Sequence, residues 1–378
     1  MLVRTVYDEE HEIFRAAIRA FIERECVPHH EQWEQEGIVP REFWRKAGAQ
    51  GMLCPQVPEE YGGPGGDYRF LPVVVEEMFR VGASGPGFPV HSDIVSGYLL
   101  NHGSEAQKQS WLPAMVSGEA IGAIAMTEPN TGSDLQGIRT TACRDGDDYV
   151  ISGAKTFISN GQNADFVIVA ARTDSDAGAR GISLIIVETD RPGFRRGRNL
   201  DKVGLKAQDT SELFFDDVRV PASNLLGEEG GGFALLMTEL PQERLAIAVS
   251  AMAASQRAFD LTVEYVKQRK AFGKPLAEFQ NTRFKLATIK TDLAAGWSLV
   301  DQCIRQHAGG QLSATDAAMA KLWTTEMQCR IVDDCVQMHG GYGYMLEYPI
   351  ARLYLDTRVQ RIHGGTSEIM QEVIARSI

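Results

Sequence analysis

A carboxylate beside a guanidinium, Glu243–Arg244, stands near the start of the stretch LPQERLAIAVSAMAASQRAFDLTVEYVKQRKAFG. Such a carboxylate can act as a general base if the fold removes it from water. The stretch predicts one long helix from Leu240 to about Gly273, packed in a bundle. Four apolar residues repeat every seven positions along it: Leu245, Met252, Phe259 and Val266.

The position of Glu243 on this helix leaves two interpretations open. It precedes Leu245 by two residues, about 200° around the helix, so it need not face the bundle interior. Pro241 can open or kink the helix because it lacks a backbone N–H. From these residues alone, a solvated surface acid is the more common case and a placed base the less common one.

Two further motifs could bind a polar planar ring. Residues 125–134, AMTEPNTGSD, are rich in hydroxyls and exposed amides. Residues 155–160, KTFISN, place Phe157 and Ser159 on the same side of a strand, an aromatic face beside a hydroxyl. A plain turn and a core phenylalanine would explain the same residues.

Three glycine-rich or basic turns end helices. QRKAFG ends the long helix, QMHGGYGY ends a later one, and HGGTSEIM interrupts the last, where a helix restarting at Thr366 would offer amides and a hydroxyl cap. None is a G-x-G-x-x-G after a strand and there is no P-loop, which disfavours a Rossmann domain or an NTPase. The cysteines and histidines show no metal-binding spacing, so no metal site is predicted.

The elements that carry these motifs change type twice along the chain. The pattern predicts an α+β multidomain protein with an N-terminal α-helical domain (1–122), a middle β domain (123–228) and a C-terminal four-helix bundle (229–378). The four bundle helices are predicted at about 233–269, 277–307, 313–340 and 349–377, the last broken near residue 364.

Composition excludes several functional classes. The 378 residues suggest two or three domains. A net charge of -12 argues against nucleic acid and against an anionic membrane surface as partners. No apolar run approaches the roughly 18 residues of a membrane-spanning helix. The acidic N-terminus resembles neither a signal nor a transit peptide, so a cytoplasmic protein is expected.

Taken together and in this order, the five motifs resemble the acyl-CoA dehydrogenase family over nearly the whole chain. The C-terminal stretches LPQERL, YVKQRKAFGK and GGTSEIM are most similar to its long-chain members. The resemblance implies FAD-dependent α,β-dehydrogenation of a medium- or long-chain acyl-CoA to the trans-2-enoyl-CoA. It also implies a homotetramer that passes electrons to electron-transfer flavoprotein.

The resemblance also implies roles for individual residues. Met126 and Thr127 would hold the flavin ring, Phe157 would cover it where many members have tryptophan, and Ser159 would hydrogen-bond near flavin N5. Other residues would bind the pyrophosphate and adenosine half, partly from a neighbouring subunit: Arg269, Phe272, Gln280, Gln337, Gly340, Gly341, Thr366 and Glu368. Three would contact the substrate: Ser133, Arg244 and Gly365.

One departure from the family pattern bears on the catalytic base. Many members carry the catalytic glutamate where this chain has Gly364, directly before the Gly-Thr of the last motif. A minority, including long-chain and isovaleryl enzymes, carry it on the long helix in the E-R-L context found at Glu243. The resemblance therefore implies Glu243 as the base. The thioester oxygen would then be bound by the backbone N–H of Gly364 and by the ribityl 2′-hydroxyl of FAD.

Three rival interpretations stay open. A branched-chain, isovaleryl-like dehydrogenase would share the position of the base. An acyl-CoA oxidase fits less well because the chain is much shorter than those proteins. A catalytically silent flavin-binding subunit of a hetero-oligomer is disfavoured because Glu243 and Arg269 are both present.

Overall fold

The computed structural model describes residues 3–378. Helices form the N-terminal part of the chain: α1 (Glu9–Glu25), α2 (His30–Glu36), α3 (Arg41–Ala49), α4 (Phe70–Arg80), α5 (Ser96–His102) and α6 (Glu105–Ser117), with a π-helical segment, Pro89–Val95, directly before α5. Helix α1 begins after Asp8, and the His11 ring accepts the Asp8 N–H at 3.2 Å. The predicted α-helical character of this part of the chain is confirmed.

An eight-stranded mixed sheet follows. Its strands are β1 (Gly122–Ala125), β2 (Thr141–Asp145), β3 (Asp148–Ser159), β4 (Phe166–Arg172), β5 (Ile182–Glu188), β6 (Phe194–Asn199), β7 (Thr210–Pro221) and β8 (Leu225–Leu226). The order is β6-β7-β3-β2-β4-β5-β8, with β1 parallel to β4. The predicted β character of this part of the chain is confirmed, and residues 149–152 and 157–159 belong to one long strand, β3.

The apolar run of β4 is explained by cover on both faces. Phe166, Ile168 and Ala170 pack with residues of α5 and α6. Val167 and Val169 point to the other face of the sheet and pack with side chains of β3 and β7. Because successive side chains of a strand point to opposite faces, a strand covered on both sides is apolar throughout. The N-terminal helices and the sheet therefore share a core.

The C-terminal part contains α7 (Gly232–Gln268), α8 (Gln280–Ala308), α9 (Ala314–His339), α10 (Pro349–Thr357) and α11 (Ser367–Ala375), plus a hairpin of β9 (Lys270–Ala271) and β10 (Lys274–Pro275). Helix α7 confirms the bundle helix predicted at about 233–269, whereas its predicted extension to Gly273 was wrong because residues 270–275 form the hairpin. The break predicted near residue 364 is confirmed, and it spans residues 358–366 between α10 and α11. Helix α7 continues through Pro241.

Helix α7 is the central element because other helices cover it on several sides. It packs on α8 and α9, and also on α4, α5 and the π-helical segment. Leu245 and Met252 are fully buried, and Phe259 packs against the same cluster. The N-terminal helices therefore bury the opposite face of α7 as well. No helix among residues 3–378 is long and apolar enough to cross a membrane.

Close packing of α8 on its neighbours generates a first prediction. A Cβ atom at Gly296 would lie 2.6 Å from the Met252 sulfur and 2.8 Å from the Trp323 ring. We expect Gly296→Val to lower the free energy of unfolding by about 1–3 kcal/mol through overpacking, measured by thermal or urea unfolding. Ala295→Val, on the exposed side of the same helix, is the control. Equal unfolding midpoints for both variants would contradict this packing.

Candidate active site

A cavity of about 220 Å³ lies where helices α4 and α7, the π-helical segment, strand β3 and the segment after α10 meet. Most of its wall is apolar: Val74, Val75, Met78, Phe79, Val90, Ile94, Ala246 and Ile247. Its polar lining includes Thr127, Ser159, Gln208, Glu243 and Gln360. A largely apolar cavity with a few convergent polar groups is typical of a small-molecule site.

Glu243 is the carboxylate of this cavity. Its residue is 4% exposed, and one carboxyl oxygen accepts a hydrogen bond from the Tyr98 hydroxyl at 3.1 Å. Burial raises the pKa of Glu243 from 4.5 to about 7, with a further rise from the Glu239 carboxylate, while the Tyr98 hydrogen bond and the Arg244 charge act in the opposite direction. The surface-acid interpretation is therefore wrong. Helix α5 covers the face of α7 that points away from the repeating apolar residues Leu245 and Met252.

Gly364 lies beside α7 and lines the same cavity. Its φ is +64°, and a Cβ atom there would lie 2.4 Å from Cδ1 of Ile247. Its backbone N–H has no acceptor among the described residues. A glycine at this position lets an unpaired N–H approach the cavity, because a larger residue would be strained and crowded.

Two buried cations hold the backbone of this glycine pair. The Lys321 ammonium donates to the Gly365 carbonyl at 2.6 Å, and Nε of Arg244 lies 3.5 Å from the Gly364 carbonyl. Lys321 and Arg244 are both buried. Gly365 and Arg244, which were predicted to contact substrate, therefore lie next to Gly364, although neither lines the cavity.

A second part of the lining carries four of the predicted flavin residues: Met126, Thr127, Phe157 and Ser159. Phe157 is 66% exposed with φ +60°, at an irregularity in the pairing of β3 with β7. This irregularity, rather than plain strand alternation, turns its ring out of the core. The hydroxyls of Thr127 and Ser159 make no hydrogen bond within residues 3–378, so both can bind a ligand.

A buried ion pair positions this wall. The Lys155 ammonium contacts Glu128 at 2.9 Å and the Met126 carbonyl at 3.0 Å, and Glu128 also accepts the N–H groups of Arg139 and Thr140. Burial lowers the pKa of Lys155 to about 8, while Glu128 raises it. Because both charges are buried and hydrogen-bonded, breaking the pair would leave one charge uncompensated. The 126–131 loop is thus fixed next to Phe157.

The remaining predicted cofactor residues lie away from this cavity. Phe272 is 95% exposed in the β9–β10 hairpin, and Cζ of Arg269 lies 5.7 Å from the Tyr342 ring centroid, so Arg269 adjoins the turn after α9. Gln280 begins α8. Gln337, Gly340 and Gly341 are exposed at that same turn.

Three predicted residues stand apart from both groups. Thr366 caps α11 by accepting the Ile369 N–H at 3.4 Å, and Glu368 is exposed in the first turn of that helix. Ser133 is exposed in the loop between β1 and β2 and does not line the cavity.

Sequence reasoning assigned no role to Tyr98, Lys155, Glu128 or Lys321. Lys155 and Glu128 stand inside two of the motifs, KTFISN and AMTEPNTGSD, but nothing in either motif indicates that the two residues pair. Tyr98 and Lys321 carry no local signal, because each reaches the site from a helix far away in sequence.

Three family models match successive parts of the chain. The acyl-CoA dehydrogenase N-terminal domain matches residues 8–119, the middle domain residues 123–218 and the C-terminal domain residues 230–378.

Individual relatives agree with this result. The long-chain specific mitochondrial acyl-CoA dehydrogenase of Sus scrofa is 53% identical, over 100% of this chain and 88% of that protein. A crystal structure of an acyl-CoA dehydrogenase from Geobacillus kaustophilus is 53% identical with a TM-score of 0.98, over 99% of both chains. A glutaryl-CoA dehydrogenase from Mycobacterium smegmatis, solved in complex with FADH2, is 31% identical with a TM-score of 0.92, over 98% of this chain and 95% of that one.

The raised pKa of Glu243 generates a stability prediction. The pKa of this carboxyl is about 7 in the folded protein and 4.5 in an exposed glutamate, so ionisation of Glu243 opposes folding. This cost is absent below about pH 4, grows as pH rises and is complete above about pH 7, where it reaches about 3 kcal/mol. We expect Glu243→Gln to be more stable than the wild type at pH 8 and nearly equal at pH 4, measured by thermal unfolding. Glu264→Gln, an exposed change on the same helix, is the control. A stability difference that is the same at both pH values would contradict the shifted pKa.

Proposed function

The chain belongs to the acyl-CoA dehydrogenase family, and we propose that it oxidises a medium- or long-chain acyl-CoA to the trans-2-enoyl-CoA with Glu243 as its base. The observation that carries this proposal is the meeting of the buried Glu243 carboxyl, the unpaired Gly364 N–H and the exposed Phe157 ring at one cavity. A thioester bound there would lie between a base, an oxyanion donor and an aromatic wall.

Glu243 would remove the α-proton of the thioester. This proton is weakly acidic, so the base needs a pKa near the working pH, and burial supplies it. Because only the carboxylate accepts a proton, the rate of substrate oxidation should rise with pH through about 7. Tyr98 keeps one carboxyl oxygen fixed and leaves the other free for the substrate.

Gly364 would stabilise the enolate that forms. Its free N–H can donate to the thioester oxygen as negative charge develops, while Lys321 holds the neighbouring carbonyl and keeps the turn rigid. Preorganised donors of this kind lower a barrier because they need no rearrangement during the reaction. Arg244 would support the same turn and lie near the thioester.

The part of the lining that carries Phe157 fits an isoalloxazine ring of FAD. Phe157 offers an exposed aromatic face, Thr127 and Ser159 offer free hydroxyls, and the 126–131 loop is fixed by Lys155 and Glu128. Aromatic stacking and a few hydroxyl contacts suit a flavin. When bound, FAD would accept the hydride that the substrate β-carbon loses.

The apolar part of the cavity would take the acyl chain. Its walls on α4 and the π-helical segment are valine, methionine, phenylalanine and isoleucine side chains, which suit a hydrocarbon. The identity to a long-chain specific relative supports a straight chain of medium or long length. A branched-chain, isovaleryl-like substrate is the alternative, because Glu243 would serve both.

A second subunit would complete the cofactor site. A group of exposed residues stands apart from the cavity, which suits contacts to the pyrophosphate and adenosine half of an FAD held by a neighbour: Arg269, Phe272, Gln280, Gln337, Gly340 and Gly341. Thr366 and Glu368 would contribute at the start of α11. The exposed Phe272 suits a contact with a further subunit, and the proposal of a homotetramer follows from the family.

The remaining parts of the proposal follow from the family. Electron-transfer flavoprotein would accept the electrons, Ser133 would contact the CoA part and Gly365 the substrate. The domains would span 1–122, 123–228 and 229–378. The cytoplasm stays the proposed compartment, although the Sus scrofa relative is mitochondrial.

Glu243→Gln tests the proposed base. The variant should keep yellow bound FAD, because no predicted flavin contact changes, and should lose flavin bleaching by a long-chain acyl-CoA by about 10³-fold or more, measured anaerobically by absorbance. Glu264→Gln should bleach like the wild type. Normal bleaching by Glu243→Gln would refute the assignment, and no bleaching by the wild type would favour a silent flavin-binding subunit.

A narrowed cavity tests the acyl site. Val90, half-buried in the π-helical segment, lines the apolar wall, so Val90→Phe should fill part of it. We expect kcat/KM for a long straight acyl-CoA to fall about tenfold or more relative to a short one. Flavin reduction should be compared across short, long and branched acyl-CoAs. An equal fall for all lengths would contradict an acyl chain in this cavity.

A further inference from the structure

Helix α5 carries a second polar contact to α7, one turn away from the base. Glu239 precedes Glu243 by four residues, so the two carboxyls lie on one face of α7, one turn apart. Glu239 is 6% exposed. One of its oxygens accepts hydrogen bonds from the Asn101 amide at 3.0 Å and the His102 ring at 2.7 Å.

The same face of α5 holds both carboxyls. Tyr98, Asn101 and His102 stand at positions i, i+3 and i+4, so Tyr98 reaches Glu243 while the other two reach Glu239. Gly97 permits this close approach, because a Cβ atom there would lie 3.4 Å from an oxygen of Glu239. A buried carboxylate fixed by two donors is costly to assemble, and its position beside the base gives it an electrostatic effect on that base.

We propose that Glu239 is a positioning residue that tunes the base strength of Glu243, with Asn101 and His102 holding its carboxylate one helical turn from the base. This inference rests on the proposed role of Glu243. A negative charge at this distance in a buried site opposes ionisation of a second carboxyl. Glu239 thereby keeps Glu243 a stronger base without touching the substrate.

Other charged or titratable groups lie on α7 itself and on elements that pack near this pair. They are Arg244 on α7, Tyr98 and His102 on α5, Asp93 in the π-helical segment, His307 on α8, Lys321 on α9 and His363 after α10. Within residues 3–378, Tyr98 alone hydrogen-bonds the Glu243 carboxyl. Glu239 is the negative charge that acts on Glu243, and Arg244 is the positive one.

The test removes the charge of Glu239 and keeps its shape. In Glu239→Gln, the acidic limb of kcat/KM for flavin reduction by a long-chain acyl-CoA should move down by about one pH unit. Glu264→Gln on the same helix should leave the limb where the wild type has it. A purely structural role would lower the rate or the unfolding midpoint without moving the limb. If Glu239→Gln does not fold, Glu239→Ala removes the same charge in a residue that favours helix.

A titration without turnover separates this inference from the proposed function. The infrared C=O band of protonated Glu243, identified by its loss in Glu243→Gln, should titrate about one pH unit lower in Glu239→Gln than in the wild type. An unchanged midpoint would overturn the role of Glu239 even if the enzyme oxidises acyl-CoA normally. A wild type that never bleaches with acyl-CoA would overturn the proposed function and leave this titration to stand on its own.

Discussion

The burial of one carboxyl group, that of Glu243, is the constraint on which the site depends. Water is excluded by α5 on one side and by the apolar wall of the cavity on the other, and a single hydroxyl, Tyr98, satisfies the group. An ionised carboxylate in such a place is unfavourable, so its pKa rises toward neutrality. This burial costs stability, and in return it gives the proposed base a pKa near neutrality.

The parts around Glu243 are held by polar contacts that are themselves buried. Lys155 and Glu128 fix the loop beside Phe157, and Lys321 fixes the glycine pair at 364–365. The first contact lies in the sheet region and the second among the C-terminal helices, and the cavity forms where these two regions pack with the N-terminal helices. Protein interiors are close-packed and transmit small displacements, so the loss of one of these contacts would shift the residues that line the cavity.

The sequence predicted the fold class and the types of the main elements because their apolar periodicity is local. The motifs that resemble the family's assigned a set of residues to one site, and six of these residues line one cavity: Met126, Thr127, Phe157, Ser159, Glu243 and Gly364. The burial of Glu243 could not be read from α7 alone, since the covering helix α5 lies more than a hundred residues earlier. The extension of α7 to Gly273 was wrong because cations near a helix terminus suit both a helical turn and the hairpin that forms. Tyr98 and Glu239 were missed because their roles depend on tertiary contact.

Exchange of the substrate α-proton tests the central claim most directly. The protein should be reduced chemically, so that net oxidation is blocked, and incubated anaerobically in D2O with a long straight-chain acyl-CoA while NMR follows the α-proton signal. The account predicts that the wild type replaces this proton by deuterium and that Glu243→Gln does so no faster than buffer alone. Exchange by Glu243→Gln at the rate of the wild type would contradict the account, because another group would then be the base.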